Sequence, residues 1–474
     1  MINEYQFNNT LVKKRVSNQT NKLRIEQEKP VSLPVKVLQT FTMTKDTFYH
    51  LICRLIEEVE PGAASIFLES QLTGHPSSRY SIFAADPDVV IRAYGENVVL
   101  ETGDAKDQFS HNPWQALQKV REEYPGWYFG YLGYDLKNYN ESLTSQNRDY
   151  TGAPDLFFFK PATLLIYDQS EGRLIESKGM PGQTIESEYE SPGKVDIKGL
   201  RSVTGSGQYL ANIREAKKMI KEGEFYEINL SHMLQGTFTG SGFDLYRRMR
   251  SAGPVPFASF LRWDDYEVCC ASPERFLCRQ GGKIFSQPIK GTAARQKNPK
   301  KDEQTRKKLL QSEKDRAENL MIVDLVRHDL SQIALPGSVH VPKLFDLQSF
   351  ETVHQLISTV EGKIHPQTDS VDILKACFPM GSMTGAPKIS AMKAIETFED
   401  YKRGIYSGAI GYISPNHDFD FNVVIRSAIL KNGELYYPVG GAITSDSIPE
   451  DELQETFIKA RALTNVVNLD YTLK

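Results

Sequence analysis

Between Leu51 and Tyr150 the chain is cut by Gly, Pro, Asn and Asp into short apolar runs. That punctuation restricts the first part of the protein to strands joined by turns. Ser81-Ile82-Phe83-Ala84 and Val89-Val90-Ile91-Arg92-Ala93 are two such runs. Trp127-Tyr128-Phe129-Gly130-Tyr131-Leu132-Gly133-Tyr134 is aromatic and rich in glycine, which suits a closely packed strand. Asp155-Leu156-Phe157-Phe158-Phe159 is another strand-like run. Later the period changes. Ser206 to Glu222 places Ile213, Ala216 and Ile220 on one side and predicts an amphipathic helix. The second half then mixes strands and helices, so the fold class is α+β in layers.

The 474 residues allow two or three domains, but no internal repeat divides them. Residues 1–30 are polar and read as a flexible extension, 31–200 as an N-terminal region and 201–474 as the region that carries the chemistry. The stretch 184–200, polar with Pro and Gly, is the linker candidate, within one layered architecture. Hydrophobic residues are 40% and charged residues 24%, which excludes a mostly disordered chain. A net charge of −4 gives no reason to expect nucleic acid as a partner, although a local basic pocket is allowed. No stretch approaches the length of a membrane span, and the N-terminus has no apolar signal region, so no membrane association is expected. The five cysteines show no zinc or Cys-x-x-Cys spacing, and a reduced cytoplasmic location is expected.

Five segments carry candidate chemistry. In Ser312–Leu325, free of Pro and Gly, Asp315 and Glu318 are three apart and share a helix face. Glu318 also lines up with Met321, Ile322 and Leu325, and a carboxylate on an apolar stripe must be paired, protonated or metal-bound. The plain alternative is an ion pair with Lys314. Glu452 and Glu455 repeat the same spacing on a second helix, and two such helices facing each other could hold Mg²⁺ through oxygen ligands. In Pro288-Ile289-Lys290-Gly291-Thr292 a single lysine sits at a strand end; it becomes a nucleophile if its pKa is lowered, and is otherwise a solvated turn lysine. Gly381–Lys388 leads into a helix from Ile389 to Glu399 whose N-terminal amides could meet an anion, and Gly440-Gly441 could let backbone approach a carboxylate. Alone, both are ordinary turns.

In combination these segments resemble the chorismate-utilising enzymes, which include anthranilate, aminodeoxychorismate, isochorismate and salicylate synthases. The resemblance runs from about Gln208 to Leu463, through Gly223–Ser231, Ser272–Phe276, Pro288–Thr292, Lys314–Asp329, Gly381–Lys388, Gly404–Tyr412, Asn422–Arg426 and Gln454–Thr456. It implies a large α/β sandwich of two packed, mainly antiparallel sheets with outer helices and the active site between them. It implies that Glu318 and Glu455 bind Mg²⁺, with Asp315 and Glu452 close by. Tyr406 and Arg426 match positions that hold the enolpyruvyl carboxylate of chorismate, and Ser382, Gly440, Gly441, Gly291 and Thr292 match other substrate contacts. Glu274 matches the family's general acid. Phe67-Leu68-Glu69-Ser70 resembles the N-terminal element that binds tryptophan in relatives.

Three positions separate the branches. Lys290 stands where anthranilate synthases carry Ala and the aminating branch carries Lys, in which it is proposed to attack C2 while the C4 hydroxyl departs. Glu227 replaces the lysine that activates water in isochorismate synthases, and also departs from the Gln common in ammonia users. Gln355, not His, precedes Leu356-Ile357-Ser358, with His354 one position off, which weakens the reading of ring aromatisation and pyruvate loss. A further departure is His328, where relatives often have Asn. The resemblance therefore implies amination of chorismate at C4. None of Cys53, Cys269, Cys270, Cys278 or Cys377 has the Gly-x-Cys-x-Gly setting of a glutaminase nucleophile, so a separate glutamine amidotransferase subunit is the expected partner. Anthranilate synthesis, and a silent subunit that only binds chorismate or tryptophan, stay open as alternatives.

Overall fold

The computed structural model describes residues 41–72, 79–178, 191–350 and 353–466. The expected extension, residues 1–30, lies outside them, as does the first part of the linker. The described residues belong to one compact unit. Its strands form a single hydrogen-bonded network with two arms. One arm runs, neighbour to neighbour, Asp196–Ser202, Glu227–Thr239, Glu434–Ile443, Ser427–Lys431, Tyr266–Ser272, Phe257–Trp263, Ser65–Glu69 and Tyr80–Tyr94. The other continues from Tyr80–Tyr94 through Leu156–Asp168, Tyr128–Leu132, Ala409–Ile413, Phe419–Asn422, Arg275–Gln280 and Lys283–Gln287 to Val353–Lys363. All these ladders are antiparallel.

The two sheets that the family resemblance implies are therefore joined through shared strands. Tyr80–Tyr94 is a single strand of 15 residues, where the sequence suggests two runs broken at Asp86-Pro87-Asp88. Pro87 lacks an N–H but sits where the ladder to Leu156–Asp168 slips register, and Asp86 there has φ +55°. The slip turns the strands from one core to the other. Leu156 and Phe158 enter the core beneath the second arm, whereas Leu165 and Tyr167, of opposite parity, enter the core beneath the first.

Glycines set how closely strands approach. A Cβ on Gly130 would collide with the Phe157 carbonyl, and one on Gly411 with that of Asp420. The predicted helix Ser206–Glu222 forms, and Gly223, at φ +89°, ends it by donating its N–H to the last carbonyls. Helix Glu313–Ser331 starts at Ser312, whose Oγ accepts from the Asp315 N–H. Pro449–Thr464 supplies the second acidic helix, with Pro at its first turn. Residue 200 falls inside strand Asp196–Ser202, and strands from the first region pair with strands from the second in both arms. Among the described residues no helix is long and apolar enough to cross a membrane.

Candidate active site

Lys290 lies on strand Ile289–Ala294, whose pairing with Val353–Lys363 slips between Ile289 and Thr292. Gly291 makes the slip at φ +86°, and a Cβ there would crowd Asp315 at 3.0 Å. Lys290 thereby leaves the surface. Its Nζ donates to Glu227 Oε1 at 2.6 Å, with the lysine side chain 10% exposed and the glutamate 1%. The pair joins the arms, since Glu227 opens strand Glu227–Thr239. The reading of a solvated turn lysine is thus corrected, and the lowered pKa that would make it a nucleophile at rest is not found either. Burial pulls the ammonium down, but the Glu227 carboxylate and its hydrogen bond, helped by Glu318 and Glu274, outweigh burial and raise the pKa.

Glu274 is buried beside this pair, its N–H held by Ser272 Oγ at 3.2 Å. Burial raises its pKa to about 7, against weaker opposing effects of Ser382, Lys290, the Ile289 N–H and Arg426. A carboxyl with that value can hold a proton at neutral pH and release it to a leaving group. Arg426, one of few non-glycine residues with positive φ (+52°), makes no salt bridge among the described residues, and burial lowers its pKa. An unneutralised guanidinium facing Glu274 is a natural receptor for an anion. Tyr406 is buried nearby, its phenol pushed up to about 12 by burial. Sequence reasoning missed the network that fixes this wall. Arg403 donates to Glu399 Oε1 at 2.6 Å, to the Asn229 carbonyl at 2.8 Å and to the Met383 carbonyl at 2.7 Å, which ties together the segments carrying Ser382 and Tyr406.

The acidic helices also meet. A Cβ on Gly441 would lie 3.6 Å from both Glu452 Oε2 and Glu455 Oε1, so the two carboxylates stand over this glycine. Gly440 is needed for another reason: a Cβ there would collide with the Leu230 carbonyl. Lys314 Nζ bridges the helices, 3.9 Å from Glu318 and 3.8 Å from Glu452, so the ion-pair reading of Glu318 is also observed. Burial raises Glu318 to about 7, and it raises Glu452, which accepts from Ser447 Oγ at 2.7 Å. Burial also opposes ionisation of Glu455, but Lys459 at 2.7 Å outweighs it and holds the pKa low. Asp315 sits against Gly291 on the same helix face as Glu318. Among the described residues no three His, Cys, Asp or Glu side chains converge as a complete ligand set. Two carboxylates completed by water and substrate oxygens is nevertheless a donor set that Mg²⁺ uses, and Glu318 and Glu455 have the right chemistry.

Gln355 donates to Thr292 Oγ1 at 3.4 Å, whereas His354 is held by Ser349 and Asp302. His328 is exposed in the last turn of its helix. Glu69, in the element that resembles a tryptophan-binding segment, accepts from Tyr246 at 2.7 Å, Arg250 at 2.8 Å and Gln71 at 3.0 Å.

Lys290 from a strand, Glu318 and Glu455 from two helices, and Glu274 and Arg426 from segments between strands thus come to one junction. Residues 64–465 match the family described as chorismate binding enzyme. The chain belongs to that family. It is 33% identical over 417 residues to aminodeoxychorismate synthase component 1 of Escherichia coli (strain K12), covering 84% of this chain and 92% of that protein. It is 35% identical over 454 residues to a probable chloroplastic aminodeoxychorismate synthase of Oryza sativa subsp. japonica, covering 84% of this chain but only 50% of that protein. The chain therefore spans about half the length of the rice relative. Among solved structures it resembles anthranilate synthase component I from Streptococcus pneumoniae TIGR4, with a TM-score of 0.72, 29% identity, and coverage of 83% and 93% of the two chains.

Proposed function

We propose that the chain aminates chorismate at C4, giving 4-amino-4-deoxychorismate and water, with ammonia supplied by a separate glutamine amidotransferase subunit. The observation that carries this reading is Lys290, buried within a cluster of carboxylates beside Glu274. The relatives named aminodeoxychorismate synthase support it. Arg426 and Tyr406 would hold the enolpyruvyl carboxylate, while Ser382, Thr292 and the backbone at Gly291, Gly440 and Gly441 would line the remaining contacts. Glu318 and Glu455 would hold Mg²⁺, with Asp315 and Glu452 behind them; when bound, the ion offsets the charge of the ring carboxylate. Glu274 would protonate the departing C4 hydroxyl as Lys290 Nζ adds to C2. Ammonia would then add at C4 and release the lysine.

Lys290→Ala tests this reading. With chorismate, Mg²⁺ and an ammonium salt, the variant is expected to lose C4 amination by a hundredfold or more; undiminished amination would remove the covalent lysine. A second reading, anthranilate synthesis, is favoured by the likeness to the Streptococcus pneumoniae structure. Against it stand Lys290 and the occupation of the expected His position by Gln355. For the partner, glutamine-dependent turnover by the purified single chain would contradict a separate glutaminase. The five cysteines support the need for one, since four are buried and Cys53 is half-buried, with pKa raised by burial at Cys53, Cys269, Cys270, Cys278 and Cys377.

A further inference from the structure

We infer that Glu227 is the base that frees Lys290 for attack, a catalytic role that rests on the amination reading above. The lysine is stored in the wrong form for chemistry, because an ammonium has no lone pair. Its ion-pair partner is Glu227, at 2.6 Å, nearer than Glu318, Glu274 or Glu455, the other carboxylates that act on it. The other ammonium groups at this junction are engaged elsewhere: Lys314 faces Glu318 and Glu452, and Lys459 pairs with Glu455. Glu227 is enclosed, and its second oxygen, Oε2, is buried with no hydrogen-bond partner among the described residues. An orphan carboxylate oxygen in a dry site costs stability as long as the charge persists, and accepting a proton relieves that cost. A contact shorter than the usual ammonium–carboxylate hydrogen bond also places donor and acceptor within direct transfer distance.

The step balances without an outside reagent. One proton passes from Lys290 Nζ to Glu227, leaving a neutral amine and a neutral acid. The amine bonds to C2, the ring double bonds shift, the C4–O bond breaks, and the hydroxyl leaves as water with the proton of Glu274. Ammonia then bonds to C4, the double bonds shift back, and the C2–Nζ bond breaks with its electron pair returning to nitrogen. Glu227 gives its proton back to Lys290, and the new C4 ammonium returns one to Glu274. No proton is gained or lost by the protein over the cycle.

Glu227→Gln keeps the acceptor oxygen and volume but removes the base. In its absence Nζ has no paired carboxylate to take its proton, and although losing the carboxylate that raises its pKa makes the ammonium more acidic, the proton must pass to solvent, which becomes easier as pH rises. The ratio of wild-type to variant kcat is therefore expected to be about 100 at pH 7 and to shrink about tenfold per pH unit above it, with the KM for chorismate changed less than about threefold. Both proteins share Glu274, so the ratio isolates Glu227. Glu227→Asp restores a carboxylate and is expected to keep the wild-type pH dependence at reduced rate. A Gln variant as fast as wild type, a loss equal at every pH, or an Asp variant no better than Gln would each overturn the role. Failure of the underlying reading looks different: wild-type protein that forms no aminated product, or Lys290→Ala protein that aminates normally, removes the lysine chemistry altogether.

Discussion

At the scale of single residues the candidate site holds buried carboxylates, Glu227 and Glu274 among them, beside the half-exposed Glu455, and the burial has a cost the sequence hides. Glu274 has its pKa raised from 4.5 to about 7. Below pH 4.5 the group is neutral whether folded or unfolded. As pH climbs from 4.5 to 7 only the unfolded chain ionises freely, so stability falls through that window and stays lower above it. Glu274→Gln is expected to raise the thermal midpoint at pH 8, by a gain on the order of 1–3 kcal/mol, and to give no gain at pH 4; equal shifts at both values would refute the burial account. The same residue gives activity the opposite trend. In the proposed role of general acid Glu274 must be protonated, so kcat is expected to fall tenfold per unit above about pH 7, read directly in a pH–rate profile. Lys290 and Glu274 were legible in the sequence as motif positions. The pairing of Lys290 with Glu227 was not, because the two are 63 residues apart and only folding brings them together.

At the scale of elements, periodicity and caps were legible: helix Ser206–Glu222 has the bounds its apolar spacing predicts, and Gly223 ends it. What misled was punctuation. Asp86-Pro87-Asp88 reads as a turn, yet it is a register slip within one strand, because the tertiary ladder on both sides overrides the local break. The glycines of strands were read as aids to packing, and the geometry makes that specific. Gly411→Val should collide with the Asp420 carbonyl and destabilise by about 2–3 kcal/mol, visible as an earlier denaturation midpoint; an unchanged midpoint would mean the ladder yields freely. The acidic helices give a further expectation. Glu455→Ala removes a carboxylate that stands over Gly441, and an Mg²⁺ titration of activity should shift to tenfold higher concentration or more. A titration that does not move would assign the metal to other residues.

At the scale of the molecule, the proposed chemistry is carried by the second half, but the second half alone holds two separate runs of paired strands, which only the strands of the first half join. Strand Phe257–Trp263 pairs with Ser65–Glu69, and Ala409–Ile413 pairs with Tyr128–Leu132. A fragment of residues 201–474 would expose both edges and is expected to aggregate rather than fold, as read by circular dichroism and light scattering. The sequence divides near residue 200 in composition, whereas strand pairing is long-range and leaves no local signal there. The proposed chemistry rests on the meeting of the two arms, where Lys290 reaches Glu227 and Lys314 bridges the acidic helices. The most direct test is product analysis: the purified chain with chorismate, Mg²⁺ and an ammonium salt at mildly alkaline pH, read by mass and fluorescence. The account predicts 4-amino-4-deoxychorismate without release of pyruvate; anthranilate accompanied by pyruvate would contradict it.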